Sequence, residues 1–272
     1  MRFDPTGKIS FDHIYTQPDP RPYFSALRGL DYCIPEQAKP YFTKLIGEYR
    51  EASGVAAPTV LDIGCSYGIN AALIACDATM DELYAHYTDP AVADADRDTL
   101  VARDRELVRA RKRLEGQRFI GFDASAPALS YAHAAGFLDD VVNADLESRD
   151  PTEDERARLG SADVVISTGC VGYVTEKTIA RVAGAHGERK PWMAHFVLRM
   201  FPFDSVADAL AGLGYETVHV EGVFKQRRFA SAEEQSQVLQ TLAATGADPY
   251  GLEADGWLYA RLFISRPREL AR

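Results

Sequence analysis

An aspartate, two glycines and a serine lie close together where an apolar run ends. Residues 60–68 read VLDIGCSYG and place Asp62 two positions before Gly64, with Ser66 and Gly68 following. Glycines at such a turn let the backbone approach a ligand closely, and the helical run INAALI that follows directs its first N–H groups towards the same place. Asp62 could orient the turn or accept a hydrogen bond from a ligand amine. The pattern predicts a ligand-binding loop.

Further polar residues follow the ends of later apolar runs. Asp123 follows FIGF, Asn143 and Asp145 close the run VVNAD, and Ser167 and Thr168 close VVIST. An acid at the tip of a strand can accept two charge-assisted hydrogen bonds from vicinal hydroxyls, which suits Asp123. Asp145 could instead cap a following helix.

These residues need a scaffold that brings the strand ends together. Seven apolar runs of β type occupy residues 59–63, 118–122, 140–144, 163–167, 194–201, 217–224 and 257–265. Stretches with helical spacing lie between most of them, and this alternation predicts an α/β fold with a parallel sheet and right-handed crossovers. A longer polar segment separates the last two strands, which we expect to pair antiparallel.

The pattern of the first loop resembles the first motif of the class I S-adenosylmethionine-dependent methyltransferases, and later motifs follow in that family's order. FIGFDAS (119–125) resembles the second strand, VNADL (142–146) the end of the third, and ADVVIST (162–168) the fourth. The resemblance covers roughly residues 58–267. It implies a Rossmann-like fold, a seven-stranded mostly parallel sheet with an antiparallel last strand, and S-adenosylmethionine as the cofactor.

The same resemblance implies which residues surround the cofactor. The acid at the end of the second strand would bind both ribose hydroxyls, and the acid after the third strand and its neighbour would meet the adenine. The implied cofactor-binding residues are Asp62, Gly64, Cys65, Ser66, Gly68, Asp123, Ala124, Asn143, Asp145, Leu146, Ser167 and Thr168.

Two features depart from the family pattern. Ser66 replaces the middle glycine of the usual loop, where its hydroxyl could contact the cofactor carboxylate. The separation between the first acid and Asp123 also exceeds the roughly 20 residues expected before the ribose acid. A helical insertion over residues 78–117, a DELYAHY turn followed by the charged stretch VARDRELVRARKRLEG, accounts for the difference. Without such an insertion, Asp77 or Asp81 would have to bind the ribose.

Two regions fall outside the alternation of strands and helices. Residues 1–57 are rich in aromatic residues and prolines and contain an amphipathic helix that ends near Ala52. They either cover one sheet face or form a cap above the strand ends, where ligands bind. Residues 78–117 could be a solvated helix with i,i+4 charge pairs. We predict an N-terminal helical cap over 1–57 and one cofactor-binding domain over 58–272.

Three residues are candidates for the reaction itself. Tyr173 lies in the segment TGCVGYVTE after the fourth strand, where it could hydrogen-bond a nucleophile or place its ring on a sulfonium. Its alternative is a core tyrosine at a helix start. His195 is the best-placed histidine, although a histidine inside an apolar run often belongs to the core. Tyr15 belongs to the aromatic N-terminal segment that could line the reaction chamber. Cys170 lacks neighbours that would lower its pKa, which disfavours a covalent role.

Composition limits the classes of function. A chain of 272 residues can bury one substantial core, and its net charge of −10 disfavours nucleic-acid binding. The four cysteines are scattered without metal-ligand spacing, so we expect no metal site. No apolar run reaches the roughly 18 residues of a membrane span, and the first residues lack a signal peptide's apolar core. These features predict a cytoplasmic protein without a membrane span.

Together, these patterns predict an enzyme that transfers the methyl group of S-adenosylmethionine to a small-molecule acceptor in biosynthesis. No clear general base is found, but an activated sulfonium mainly requires positioning. One alternative is cyclisation of S-adenosylmethionine to azetidine-2-carboxylate with release of methylthioadenosine, which needs an aromatic chamber and no acceptor base. A non-catalytic nucleoside-binding module and a nicotinamide-dependent oxidoreductase are further alternatives. The sequence leaves the acceptor and the oligomeric state open.

Overall fold

Seven strands form one sheet in the computed structural model, which describes residue 4 and residues 6–111, 116–187 and 189–268. In chain order the strands are β1 (Thr59–Ile63), β2 (Arg118–Phe122), β3 (Asp140–Val142), β4 (Val164–Thr168), β5 (Trp192–Leu198), β6 (Tyr215–Arg228) and β7 (Trp257–Pro267). Their order across the sheet is β3-β2-β1-β4-β5-β7-β6. Strands β1 to β5 pair in parallel, and β7 runs antiparallel to both β5 and β6. The predicted fold, a Rossmann-like mostly parallel sheet with an antiparallel last strand, is therefore confirmed.

Helices cover both faces of this sheet. In the described residues they are α1 (Asp12–Tyr15), α2 (Arg21–Arg28), α3 (Ile34–Ser53), α4 (Ile69–Ala75), α5 (Met80–Thr88), α6 (Arg97–Arg111), α7 (Ala126–Ala135), α8 (Glu153–Leu159), α9 (Glu176–Gly184), α10 (Asp204–Gly212) and α11 (Ala232–Thr245). None of these helices has the length and apolar character that crossing a lipid bilayer requires.

Alternate residues of the central strands enter two separate apolar clusters, as strand geometry requires. Val60 and Phe196 belong to the cluster that contains residues of α1 to α7. Leu61 and Val197 belong to the cluster that contains residues of α8 to α11. The sheet is thus the middle of three layers, and the carboxyl ends of its parallel strands lie at one edge.

The first long helix of the chain packs directly on the sheet. In α3, the ring of Phe42 lies 5.5 Å from that of Phe196, and the hydroxyl of Tyr49 donates to the Asp163 carboxylate at 3.0 Å. Asp163 also accepts from the backbone N–H of Thr59 at 2.8 Å, so it fixes the start of β1 and β4. The amphipathic helix predicted to end near Ala52 is confirmed. The division of the chain at residue 57 stays a prediction.

The segment between β1 and β2 differs from its prediction at its start. DELYAHY, predicted as a turn, is part of α5, because Thr79 and Glu82 form a reciprocal capping box that starts a helix there. The charged stretch belongs to α6, which begins at Arg97, and residues 112–115 of that prediction lie outside the described residues. The interpretation of 78–117 as one insertion stays a prediction.

One face of α6 is buried rather than solvated. The Asp104 carboxylate is fully buried and accepts hydrogen bonds from the hydroxyls of Tyr87 and Tyr131 at 2.7 and 2.6 Å. The Nε2 atom of His86 lies 2.7 Å from the same carboxylate. A buried carboxylate needs such partners, and these three join α6 to α5 and α7.

Candidate cofactor site

The loop after β1 has a backbone that few residue types can adopt. Gly64, Ser66 and Gly68 all have positive φ, at +69°, +50° and +77°. A Cβ added at Gly64 would lie 2.6 Å from the Cβ of Cys170, so that glycine is required by both its backbone and its neighbour. Ser66 adopts a left-handed conformation that glycine takes most readily.

Asp123 lies beside this loop, at the end of β2. One of its carboxylate oxygens accepts from the N–H of Ser66 and the other from the N–H of Ser125, both at 2.8 Å. Burial raises the pKa of the Asp123 carboxyl, and the hydrogen bonds from these backbone N–H groups oppose that shift. The parallel register of β1 and β2 brings Asp123 here across the long intervening segment.

The two alternative acids lie elsewhere. Asp77 follows the C-terminus of α4, the helix that carries the chain away from the loop, and it pairs with Lys39 at 2.7 Å. Asp81 is itself exposed, in the first turn of α5. Of these three acids, it is Asp123 that contacts the loop after β1.

Asn143, which follows β3, is hydrogen-bonded to the turn after β2 that contains Asp123 and Ala124. The side-chain amide of Asn143 donates to the backbone carbonyls of Asp123 and Ala124 at 2.9 and 3.0 Å. Asp145 is exposed and accepts from the N–H of Glu147 at 3.0 Å. The side chain of Leu146 is buried in the cluster beneath the edge, so its side chain is part of the core.

A buried polar pair lies below the loop. Both carboxylate oxygens of Asp62 are within 3.2 Å of the Asn70 side-chain nitrogen, which also donates to the Thr168 hydroxyl at 3.2 Å. Asp62 is fully buried, and burial raises its pKa to about 8, although the hydrogen bond from Asn70 opposes this shift. These contacts connect the ends of β1 and β4.

Several buried polar atoms at this edge have no hydrogen-bond partner among the described residues. They include the Ser66 hydroxyl, the Asn70 carbonyl oxygen and the Nε2 atom of His195. A buried polar atom without a partner is costly, so atoms of this kind point to a bound polar molecule. The loop and its surroundings fit a ligand with several polar groups.

His195 and Ser167 form a second buried pair on adjacent strands. The serine hydroxyl lies 2.8 Å from Nδ1 of the histidine, and both residues are completely buried. Burial lowers the pKa of His195 to about 4, so its imidazole is neutral at physiological pH. The alternative interpretation of His195 is a core histidine with all its hydrogen bonds made. Among the described residues this holds for Nδ1, which contacts Ser167, and not for Nε2, which has no partner.

The loop after β4 carries Tyr173 at its surface. Tyr173 is 47% exposed, which rules out the alternative of a core tyrosine. Its hydroxyl donates to the Asp4 carboxylate, and the ammonium of Lys8 lies 5.2 Å from its ring centroid. In the same loop, burial raises the pKa of the Cys170 thiol to about 12, which keeps it unreactive.

The N-terminal segment is attached directly to the candidate site. The hydroxyl of Tyr67, in the loop after β1, lies 3.0 Å from the backbone carbonyls of both Ile14 and Gln17. The hydroxyl of Ser125 donates to the carbonyl of Tyr15 at 2.5 Å. Helix α1 therefore lies over the ends of β1 and β2.

Tyr15 brings an aromatic ring to this place. Its ring centroid is 5.7 Å from that of Tyr23, which in turn contacts Tyr67 at 5.9 Å and Tyr32 at 6.3 Å. Burial raises the pKa of the Tyr15 hydroxyl to about 12; the positive charge of Arg227 opposes this shift, and the negative charge of Asp123 adds to it. A tyrosine cluster thus covers the loop.

The sequence did not single out Asn70, Tyr67 or Gln226 for this region. A polar residue inside the apolar run INAALI was a usable signal for Asn70, because a buried asparagine needs partners. Tyr67 and Gln226 gave no comparable signal, since their roles depend on contacts with distant segments. In the part of the chain that the structure describes, no group of three or more His, Cys, Asp or Glu side chains could hold a metal ion.

No protein-family model and no curated protein matches this chain. Its seven-stranded, mostly parallel sheet with an antiparallel last strand is the arrangement that the resemblance to the class I methyltransferases implies. Among solved structures, the chain is similar to a putative sarcosine dimethylglycine methyltransferase from Galdieria sulphuraria, with 14% identity, coverage of 85% and 88% of the two chains and a TM-score of 0.43.

Two further similar structures differ in how much of their own length is matched. The plantazolicin methyltransferase BpumL has 14% identity, coverage of 94% of both chains and a TM-score of 0.40. EvdMO1 has 14% identity and a TM-score of 0.43, and the match covers 84% of this chain but only 41% of EvdMO1.

Proposed function

We propose that this chain is an enzyme that binds S-adenosylmethionine and transfers its methyl group to a small-molecule acceptor. The observation that carries the proposal is the meeting of three features at one edge of the sheet. These are the left-handed loop at Gly64, Ser66 and Gly68, the Asp123 carboxylate beside it, and the tyrosine cluster above it.

The residues present fit the groups of this cofactor. A carboxylate has about four acceptor positions, and the contacts of Asp123 with two N–H groups leave acceptor positions for the ribose hydroxyls. Ser66 and Asn70 offer polar atoms without partners to the methionine part of the cofactor. A cofactor ammonium near Asp62 would favour the ionised form of this acid, whose pKa burial has raised.

The bound cofactor supplies a methyl group activated by the sulfonium, so this chain mainly has to bind, orient and exclude water. The rings of Tyr15 and Tyr173 can face a cation at a gain of about 0.5–2 kcal/mol without competing as strong nucleophiles. His195 is neutral and could accept a proton through Nε2. An acidic chain with an aromatic cap suits a small, partly apolar acceptor.

Cofactor binding is tested by titration calorimetry with S-adenosylmethionine. Asp123→Ala removes the ribose acceptor and should weaken binding by about 2–3 kcal/mol, roughly 30- to 150-fold. Asp123→Asn is the matched variant, because it keeps one acceptor oxygen and should lose less. Unchanged affinity in a folded Asp123→Ala protein would remove Asp123 from the site.

Cyclisation of S-adenosylmethionine is the second candidate, and the tyrosine cluster of Tyr15, Tyr23, Tyr32 and Tyr67 favours it, because such a reaction needs an aromatic chamber. Mass spectrometry of the protein incubated with S-adenosylmethionine alone separates the candidates. Accumulating methylthioadenosine would indicate cyclisation. Binding without turnover, alone and with a panel of acceptors, would indicate a non-catalytic module.

A further inference from the structure

Gln226 occupies an irregular position near the end of β6. Lys225 pairs with Tyr259 and Arg227 with Leu258, so the register shift leaves Gln226 as the extra residue of a β-bulge. Bulges of this kind redirect a side chain and are common next to functional sites. The backbone carbonyl of Gln226 accepts a hydrogen bond from the N–H of Cys33 at 2.8 Å, so the bulge also contacts the residue before α3.

The side chain of Gln226 lies against the loop after β4. A Cβ at Gly169 would be 2.6 Å from the Gln226 side-chain nitrogen, so the glycine at φ +70° makes room for this amide. The N–H of Gly169 donates to the carbonyl of Phe196 at 2.9 Å, which fixes the glycine at the edge of the sheet. Gln226 therefore reaches the carboxyl end of β4, beside the proposed cofactor site.

The side-chain amide of Gln226 is buried, and its oxygen lacks a hydrogen bond among the described residues. Gln226 is only 5% exposed, and its carbonyl oxygen has no hydrogen-bond partner within the described residues. Leaving a buried acceptor unpaired is unfavourable, so such an atom is normally completed by a ligand or an ordered water molecule. Two residues earlier on β6, the ring of Phe224 packs 5.1 Å from that of Tyr41 and 5.0 Å from that of Phe196, so this strand carries an aromatic cluster close in sequence to Gln226.

We propose that Gln226 is a substrate-binding residue whose side-chain oxygen accepts a hydrogen bond from an N–H or O–H group of the molecule that carries the nucleophile. This inference rests on the proposed function and adds the class of substrate, namely a nucleophile with a hydrogen-bond donor beside an apolar or aromatic body. The donor group comes either from a separate methyl acceptor or from the amine of the cofactor itself.

The first test asks whether Gln226 serves the fold or a ligand. Gln226→Met keeps the volume and removes an unpaired amide, so the melting temperature of the ligand-free protein should stay unchanged or rise. Gln117→Met is the matched control, because Gln117 is equally buried but donates to the carbonyl of Pro58. This control should lower the melting temperature by about 2–4 °C. An equal drop in both variants would make Gln226 structural and overturn the proposal.

The second test measures the donor preference by calorimetry. In the presence of S-adenosylhomocysteine, the wild-type protein should bind phenol about fivefold to tenfold more tightly than anisole, which lacks the donor, if a separate acceptor uses Gln226. If the cofactor amine uses it, Gln226→Met should weaken S-adenosylhomocysteine by a similar factor and leave methylthioadenosine, which lacks that amine, unchanged.

Each outcome has a distinct meaning. If Gln226→Met no longer binds phenol more tightly than anisole, the donor belongs to a separate acceptor. If Gln226→Met binds S-adenosylhomocysteine more weakly but methylthioadenosine as tightly as wild type does, the donor is the cofactor amine. If Gln226→Met changes neither preference while S-adenosylhomocysteine still binds, the proposal for Gln226 is wrong. Absence of S-adenosylhomocysteine binding by the wild-type protein would instead overturn the proposed function.

Discussion

Two residues of the loop after β1 show how single side chains determine the candidate site. Gly64 is required because its φ is +69° and because Cys170 leaves no space for a Cβ. Asp62 is buried beneath the same loop and has one described side-chain donor, Asn70, for its carboxylate. The first constraint is steric and the second electrostatic, so each predicts a different measurable response.

Gly64→Ala should destabilise the protein far more than Gly54→Ala. Both glycines have similar left-handed φ values, +69° and +73°, and each alanine should cost about 1–2 kcal/mol for the backbone alone. A Cβ at Gly54 has no atom within 4 Å, whereas one at Gly64 clashes with Cys170, which should add about 1–3 kcal/mol. Urea denaturation measures both. Equal losses would show that the loop moves freely away from Cys170.

The burial of Asp62 predicts a pH dependence of stability. Its pKa is about 8 in the folded protein, against about 3.9 in an unfolded chain, so the folded protein holds more protons between these values. Stability should therefore fall as pH rises towards 8, by up to about 1.4 kcal/mol per pH unit. Asp62→Asn should abolish this slope.

Between pH 6.5 and 8, the difference in stability between wild type and Asp62→Asn reports the titration of Asp62. Burial lowers the pKa of His195 to about 4, so its contribution changes with pH only below its unfolded value of about 6.5. Burial and the charge of Arg227 lower the pKa of Lys8 to about 8, so Lys8 begins to titrate within this window, but it is present in both proteins and its contribution cancels in their comparison. Denaturation of wild type and Asp62→Asn at four pH values within the window tests the prediction, and parallel slopes would contradict it.

Helix α1 depends on contacts with the rest of the protein for its stability. It has only four residues, and its N-cap residue, Phe11, makes no side-chain hydrogen bond to it. Its position comes from hydrogen bonds donated by Tyr67 and Ser125 to its backbone carbonyls and to that of Gln17. A short helix of this kind is held by tertiary contacts rather than by its own propensity.

Tyr67→Phe should therefore loosen α1 without disturbing the sheet. The substitution keeps the ring and removes the hydroxyl, a loss of about 1 kcal/mol, so amide exchange in residues 12–17 should become about fivefold faster. Tyr84→Phe is the control, because that hydroxyl donates to the carbonyl of Tyr32 at 2.7 Å and should affect the turn before α3 instead. Hydrogen exchange with mass spectrometry follows both segments. Unchanged exchange at 12–17 would show that Tyr67 does not hold the cap.

The elements were predictable where a local pattern determines them. The runs at 59–63 and 118–122 coincide with β1 and β2, and the glycine loop lies between β1 and α4 as expected. The prediction of a turn at DELYAHY was wrong, because the capping box formed by Thr79 and Glu82 starts a helix there. Gln226 could not be found, since its bulge and unpaired oxygen depend on the register between β6 and β7.

At the scale of the whole molecule, Glu234 joins segments that are far apart in the sequence. Its carboxylate receives two hydrogen bonds from the Arg227 guanidinium, at 2.9 and 2.6 Å, and others from the N–H groups of Ile9 and Ala230 at 2.9 and 2.8 Å. The side chains of this ion pair are at most 4% exposed. The N-terminal residues that reach Tyr173 are thus tied to the end of β6.

Glu234→Ala should cost about 3–5 kcal/mol of stability, because it leaves the Arg227 guanidinium buried without its carboxylate and removes the acceptor of the Ile9 N–H. Glu233→Ala is the matched control on the same helix, since Glu233 is exposed and should change stability by less than about 0.5 kcal/mol. Denaturation by urea compares the two variants.

The released N-terminal segment should also free Tyr173 from Lys8 and Asp4, so the loop after β4 should exchange its amides faster in Glu234→Ala only. Equal stability of the two variants would mean that the N-terminal segment is held by its apolar contacts alone.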